Sequence, residues 1–161
     1  MLAIAVPEAR ALLGNVTPAI PAHVPLMDPF AAFTKINDSL LVTLVSQFAR
    51  APGICGEVAL TFDRIERSAD AVALCLAKPE LVSEKSRALA KAWQRSLSTN
   101  ELGIVDEPRM IVARGTGSML DAVEHSAARM IPFTSHARLA SLFVQDEAGT
   151  WREHFRFALY G

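Results

Sequence analysis

Prolines decide where a regular helix can run in this chain of 161 residues. Proline lacks an amide donor and pushes the residue before it toward extended geometry. Four prolines fall within residues 1–28, among small apolar residues and few charges. Because a long helix cannot run through this stretch, the sequence predicts a proline-rich N-terminal arm over residues 1–28. We expect the arm to dock on the rest of the chain and partly on a second copy.

Beyond residue 28, apolar residues recur at steps of three and four, which is typical of amphipathic helices. The second of these stretches has the most regular spacing, through Val58, Phe62, Ile65, Ala69, Val72 and Leu76. The predicted helices follow Asp28 and Pro29, cover residues 58–76, follow Pro79, cover residues 119–131 and begin again at Thr134 or Ser135. Proline is well tolerated in the first turn of a helix, which supports the starts at Pro29 and Pro79.

Two stretches leave the secondary structure open. Residues 110–112 fit either a short helix or a strand. Residues 143–160 fit a β-hairpin, because residues 146–149 can form a four-residue turn and Phe155, Phe157 and Leu159 recur at every second position. A closing helix from Thr150 is the competing interpretation, since Trp151, Phe155 and Ala158 also have helical spacing.

These patterns predict a mainly α fold, an amphipathic helix bundle with a possible C-terminal β-hairpin. An α+β fold is the second choice. The chain is long enough for one domain with its own core. We therefore expect residues 29–161 to form a single, mainly helical globular domain that follows the arm.

Composition bears on the partners. The chain is 51% apolar and 20% charged, and an apolar excess of this kind favours a homo-oligomer. A formal charge of −1 provides no field that would attract nucleic acid. No stretch approaches the roughly 20 apolar residues that span a membrane, and the N-terminus does not resemble a signal peptide. The expected location is the cytoplasm, with Cys55 and Cys75 as reduced thiols, although a bridge between them stays possible.

The most suggestive segment is a glycine-rich turn before a predicted helix, formed by Arg114, Gly115, Thr116, Gly117 and Ser118. Amide groups at the start of a helix can hold a phosphate or a carboxylate, and Arg114 adds a positive charge. The segment resembles the pyrophosphate-binding loop of the acetyl-CoA-dependent acyltransferases. That resemblance implies an anionic ligand, either phosphate or a CoA-like group. A structural turn with Ser118 as the helix cap is the alternative.

Acid–base chemistry has three candidate residues. Asp121 and His125 are one helical turn apart on the same predicted face, and His136 follows a proline-bounded turn. A carboxylate beside an imidazole can orient it for proton transfer. The alternative is a surface pair with no catalytic role. No metal-binding spacing is present, and no cofactor is predicted.

Two classes of function remain. The first is a non-catalytic helical protein that acts through apolar faces, in self-assembly or in binding a partner protein. The second is a small enzyme or ligand-binding domain that uses residues 114–118 for an anionic group and Asp121, His125 or His136 for proton transfer. The sequence favours the first class, because it contains no established catalytic signature.

Overall fold

The computed structural model describes residues 1–13, 22–28, 38–51, 54, 56–97 and 103–159. In chain order they form β1 (Leu2–Ala5), a 3-10 helix (Pro7–Leu13), β2 (His23–Met27), α1 (Asp38–Arg50), β3 (Val58–Arg67), β4 (Ala71–Leu76), α2 (Glu80–Leu97), β5 (Arg109–Arg114), α3 (Ser118–Ala128), β6 (Phe133–Ala137), β7 (Leu139–Gln145) and β8 (Trp151–Ala158). The described residues thus contain eight strands and three α-helices, which makes the fold α+β.

The strands form two antiparallel sheets of four strands each. The first sheet has the order β2-β1-β7-β8, and the second has the order β5-β4-β3-β6. In the first sheet β1 is an inner strand, because Leu2 pairs with Met27 of β2 on one side and with Leu142 of β7 on the other. In the second sheet β6 is an edge strand that pairs with β3.

The two sheets are joined at Arg138, the one residue between β6 and β7. Leu159 donates its backbone N–H to the carbonyl oxygen of Arg138 at 2.9 Å, and Gly56 donates its N–H to the carbonyl oxygen of Leu159. These bonds connect the end of β8, the start of β3 and the β6–β7 link. Gly56 has a φ of 116°, a backbone conformation that favours glycine.

Helices cover one face of each sheet. On the first sheet, Phe157 packs against Phe48 of α1 and Trp93 of α2, with ring centroids 4.3 Å and 6.5 Å away. On the second sheet, α3 contributes Leu120, Val123 and Ala127 to the buried core. Successive strand residues point to opposite faces. We call the face of each sheet that is turned away from α1, α2 and α3 the helix-free face.

The predicted helix bundle is wrong, and residues 58–76 show why. They form the β3–β4 hairpin, in which Val58, Leu60 and Phe62 are buried and the residues between them are more exposed. A register shift follows Phe62, so that Ile65 packs against the core again after a step of three. A β-bulge adds one residue to a period of two. This bulge accounts for the step of three from Phe62 to Ile65, and two strand periods make each step of four from Val58 to Phe62 and from Val72 to Leu76. Together these steps resembled a helix.

Some of the other predicted helices and strands are confirmed and some are wrong. The helices expected after Pro79 and over residues 119–131 are confirmed as α2 and α3, and the C-terminal hairpin is confirmed as β7 and β8. Residues 110–112 are part of strand β5. The helix expected from Thr134 or Ser135 is wrong, because these residues lie in strand β6. The start predicted at Asp28 and Pro29 falls partly on residues 29–37, outside the described residues.

The N-terminal segment contributes strands to the first sheet. Leu2, Ile4, Val24 and Leu26 have no exposed surface and belong to the same core as α1 and α2. Their burial is achieved within one chain. The boundary predicted at residue 28 and the docking of this segment on a second copy remain predictions. Among the described helices, none is both long and apolar enough to cross a membrane.

Trp93 tests this packing. It is fully buried on α2 against Phe157, so we expect Trp93→Ala to cost about 3–5 kcal/mol of the free energy of unfolding. For a chain of this size, Tm should fall by roughly 6–20 °C in a thermal melt, at about 2–4 °C per kcal/mol. Lys91→Ala, at an exposed position of the same helix, is the control and should leave Tm within about 1 °C. Equal Tm values for the two variants would contradict the assigned core.

Candidate functional site

His23 is the first residue of β2, at the edge of the first sheet. Its neighbours in alternation, Val24 and Leu26, are core residues, so the side chains of His23 and Pro25 point to the helix-free face. The imidazole is half-buried and lies 6.2 Å from the ring of Phe143, centroid to centroid. The edge strand β2 therefore presents the imidazole of His23 beside an aromatic ring.

His136 occupies the corresponding place on the second sheet. It lies in the edge strand β6 between Ser135 and Ala137, which are both buried, so its side chain points to the helix-free face. Ala59 of β3 is its partner across the ladder. Because alanine carries only a methyl group, this side of the imidazole is left open.

The two histidines approach the sheet joint from opposite sides. His23 pairs with Ala5, and the register that pairs Ile4 with Ala140 places Leu139 opposite Ala5. The Cα atoms of His23 and Leu139 are therefore two strand spacings apart, which is about 10 Å. His136 is three residues from Leu139 along the chain, again about 10 Å. The helix-free faces of the two sheets meet at Arg138 and Leu139, so both imidazoles flank this junction.

Glu57 connects the second histidine to the joint. Its Oε1 atom lies 3.2 Å from Nδ1 of His136 and 3.5 Å from Nε of Arg138. The side chains of Glu57, His136 and Arg138 are 44%, 63% and 71% exposed. One carboxylate oxygen thus faces two groups that can carry a positive charge, in a place that water and ligands can reach.

Hydroxyl groups continue the polar face along β3 and β6. Thr61 and Thr134 are cross-strand partners, and their hydroxyl oxygens are 2.9 Å apart. Together with Glu57 opposite Arg138 and Ala59 opposite His136, they make three successive rows of side chains on one face. Such rows are the closest side-chain neighbours in an antiparallel sheet.

A second polar group lies on the helix-free face of the first sheet. Ser141 donates its hydroxyl to Oε1 of Glu153 at 2.6 Å, and Arg156 contacts both oxygens of that carboxylate at 2.6 and 2.8 Å. The guanidinium of Arg156, assisted by Ser141, lowers the pKa of Glu153 below its usual value. The carboxylate therefore stays ionised and holds Arg156 in a fixed orientation.

A further cluster lies across β5, β4 and β3 of the second sheet. Arg109 donates to Oε1 of Glu66 at 2.7 Å, and this hydrogen bond lowers the pKa of the Glu66 carboxyl. Cys75 lies beside the same carboxylate, with its Sγ atom 3.6 Å from Oε2. Burial is the main cause that raises the pKa of the Cys75 thiol. A thiol with a raised pKa is a poor nucleophile at neutral pH.

The structure separates His136 from the other predicted acid–base residues. Asp121 and His125 lie on α3, which packs on the opposite face of the second sheet. Asp121 forms an ion pair with Arg67 at 3.0 Å, and Nε2 of His125 is 2.6 Å from Arg129. The catalytic roles predicted for these two residues remain predictions.

The glycine-rich turn of residues 114–118 connects β5 to α3. Gly115 donates its N–H to the carbonyl oxygen of Asp70 at 2.8 Å, and Arg114 lies 3.7 Å from the Asp70 carboxylate. Because β5 and β6 are opposite edges of the second sheet, three strand spacings, or about 14 Å, separate the two strands. The turn follows Arg114, which pairs with Ala71, beyond the part of the sheet where β6 pairs with β3. Its predicted anion binding also remains a prediction.

The sequence contains a similarity between two short segments that points to His23 and that helical periodicity does not reveal. The segments His-Val-Pro-Leu at 23–26 and His-Ala-Arg-Leu at 136–139 share a histidine and a leucine at the same spacing. Both histidines prove to lie on edge strands of different sheets. Within the described part of the chain, no three His, Cys, Asp or Glu side chains are grouped so that they could hold a metal ion.

Comparisons with known proteins identify structures with a similar fold, but they do not assign the chain to a family. No protein-family model matches the chain, and no curated protein is similar to it. The fold is similar to the solved structure of E. coli LigT complexed with 3'-AMP, with a TM-score of 0.64 and 16% identity over 98% of this chain and 95% of that one. A structure described as a phosphoesterase has a TM-score of 0.63 and 16% identity, over 99% of this chain and 97% of that one. E. coli LigT complexed with ATP has a TM-score of 0.60 and 19% identity, over 99% of this chain and 96% of that one.

These likenesses overturn the function that the sequence favoured. A non-catalytic helical bundle that acts through apolar faces is incompatible with an α+β fold shared with phosphoesterase structures. The neighbours bind small anionic ligands, which agrees with the second class of function and with the anionic ligand predicted from the sequence.

Cys75 offers a check on the electrostatics of the helix-free face. Its raised pKa reduces the thiolate fraction at pH 8, and burial blocks the reagent. In a Cys55→Ser variant, we expect the remaining thiol to react with Ellman's reagent much more slowly in the native protein than in guanidinium chloride. The Cys75→Ser variant, which reports Cys55 alone, is the control. A native rate equal to the denatured rate would contradict the assigned burial of Cys75.

Proposed function

We propose that this chain binds a small phosphate ester of the nucleotide type between His23 and His136 and hydrolyses it. The observation that carries the proposal is that His23 on β2 and His136 on β6, edge strands of different sheets, both lie on the helix-free faces that meet at Arg138. The fold likeness to a phosphoesterase and to LigT structures that hold 3'-AMP, ATP and phosphate supports it. At 16–19% identity this likeness supports the fold, and the site residues must carry the function.

Two imidazoles suit the chemistry of phosphoester hydrolysis. A water molecule attacks phosphorus and loses a proton, while the bond to the leaving oxygen breaks and that oxygen gains a proton. One histidine accepts the first proton and the other donates the second. Histidine changes its charge near neutral pH, so it can serve as either the base or the acid.

Arg138 provides the charge that the transition state needs. Negative charge grows on the oxygens of the phosphoryl group during the reaction, and a guanidinium can contact two of them at once. Its Nε atom lies near Glu57, so the two terminal nitrogens are the groups best placed for a ligand. The Thr61 and Thr134 hydroxyls extend the donor set along the same face.

We also propose a cytoplasmic location for this protein. For its partners, we propose that it forms a homo-oligomer and that it does not bind nucleic acid. The apolar content of 51% and the 67% exposure of Val42 on α1 support self-association. Size-exclusion chromatography with light scattering tests it, and a monomer at every concentration would refute it.

The two histidines provide the test of function. We expect the wild-type protein to bind 3'-AMP and phosphate in calorimetry and to release 4-nitrophenolate from bis(4-nitrophenyl) phosphate. His23→Ala and His136→Ala should each lower kcat by about 10²–10⁴-fold. The double variant should lose less than the product of the single effects, because the two groups act in one step.

His125→Ala is the matched control, because this exposed histidine lies on α3, on the other face of the second sheet. It should retain wild-type turnover. Full activity in the His23 and His136 variants would refute the proposed site. Loss of activity in the His125 variant instead would place the chemistry on α3, as the Asp121 and His125 spacing predicted.

A further inference from the structure

Backbone pairing holds both chain neighbours of Glu57. It follows Gly56, whose N–H is bonded to Leu159, and it precedes the first residue of β3. The β3–β6 register pairs Val58 with Ala137 and so sets Glu57 opposite Arg138. The position of its carboxylate beside β6 is therefore determined by backbone pairing on both sides.

The carboxylate faces one particular nitrogen of the imidazole. Oε1 of Glu57 is 3.2 Å from Nδ1 of His136, a distance at which an N–H can donate to it. In a neutral imidazole one nitrogen carries the proton and the other accepts. A carboxylate cannot donate when ionised, so its presence at Nδ1 favours the tautomer with the proton on that atom. Nε2 is then the atom that exchanges a proton with a ligand.

The same oxygen also orients the arginine. Nε of Arg138 lies 3.5 Å from Oε1 of Glu57. A guanidinium is planar, so a contact at Nε fixes the direction of the two terminal nitrogens. Glu57 thus acts on both the proton-transfer group and the anion-binding group of β6 without needing to touch the ligand.

We propose that Glu57 is the positioning residue of the phosphate site, and that it holds His136 in the tautomer with Nδ1 protonated while it aims Arg138 at the phosphoryl oxygens. The proposal rests on the proposed function for its role in catalysis, but the tautomer can be measured without any substrate. The alternative is that Glu57 only stabilises the fold. This role is less favoured, because exposed ion pairs contribute little to the stability of folded proteins.

The tautomer is tested by nitrogen NMR of the histidine rings in ¹⁵N-labelled full-length protein. His136 signals are assigned by their loss in His136→Ala. In the wild type at a pH where the ring is neutral, we expect Nδ1 to carry the proton. In Glu57→Ala the ring should shift toward the tautomer with the proton on Nε2, which free imidazole side chains prefer. Glu57→Gln should keep more of the wild-type pattern, because its amide oxygen can still accept.

Glu84→Ala is the matched control, since Glu84 is an exposed glutamate on α2, the helix that packs against Phe157 of the first sheet. It should leave the His136 signals unchanged. An Nε2-protonated ring in the wild type, or the same tautomer in the wild type and Glu57→Ala, would overturn the proposal.

Kinetics separate positioning from a merely structural role. With bis(4-nitrophenyl) phosphate, we expect Glu57→Ala to lower kcat by about 10–100-fold, the usual effect of losing a group that orients a functional histidine. KM should not rise, because removing a negative charge beside Arg138 favours an anion. Glu57→Gln should recover part of kcat, and Tm should match that of Glu84→Ala. A rise in KM with an unchanged kcat would contradict positioning.

The failure of each proposal is distinguishable. If the wild-type protein shows no hydrolysis and no binding of phosphate, the proposed function fails while the NMR result still decides whether Glu57 sets the tautomer. If hydrolysis depends on His136 but the Glu57 variants match the wild type in both tautomer and kcat, only the inference about Glu57 fails.

Discussion

The hydrogen bond from the Leu159 N–H to the Arg138 carbonyl oxygen joins the two halves of this fold. It attaches the end of β8 to the single residue between β6 and β7, and the Gly56 N–H extends the connection to the start of β3. This joint continues the helix-free face of one sheet into that of the other. Because the joint is made of backbone groups, it tolerates many side chains at Arg138. The arginine found there is free to serve another purpose.

Packing on one face of each sheet leaves the other face available for polar groups. Phe157 of the first sheet packs against Trp93 of α2, and Leu120 and Val123 of α3 cover the apolar side of the second sheet. Since strand side chains alternate, the residues between the apolar ones must face the opposite side. The histidines therefore reach the shared face as a direct consequence of the core pattern. The core and the candidate site come from the same alternation.

Local patterns predicted α2, α3 and the C-terminal hairpin, because their signals lie within a few neighbouring residues. They failed at residues 58–76, where a β-bulge after Phe62 turned a strand period into apparent helical spacing. The β3–β6 and β1–β7 pairings join residues far apart in the chain, and periodicity contains no information on them. Periodicity also contains no information on which residues surround His136 in the fold. His136 was predicted from its chain neighbours Asp121 and His125, but its partners in space are Glu57 and Arg138, and His23 comes from a segment interpreted as an arm.

Charge on the helix-free face is balanced locally. Arg138, Arg109 and Arg156 lie beside Glu57, Glu66 and Glu153, respectively. These pairs cancel much of the field at a distance, in agreement with a formal charge of −1 for the chain. An anion would gain little from long-range attraction, which requires an uncompensated patch of one sign. Recognition must then depend on short contacts with oriented donors. In the proposed phosphate site, Glu57 then acts by fixing the direction of Arg138.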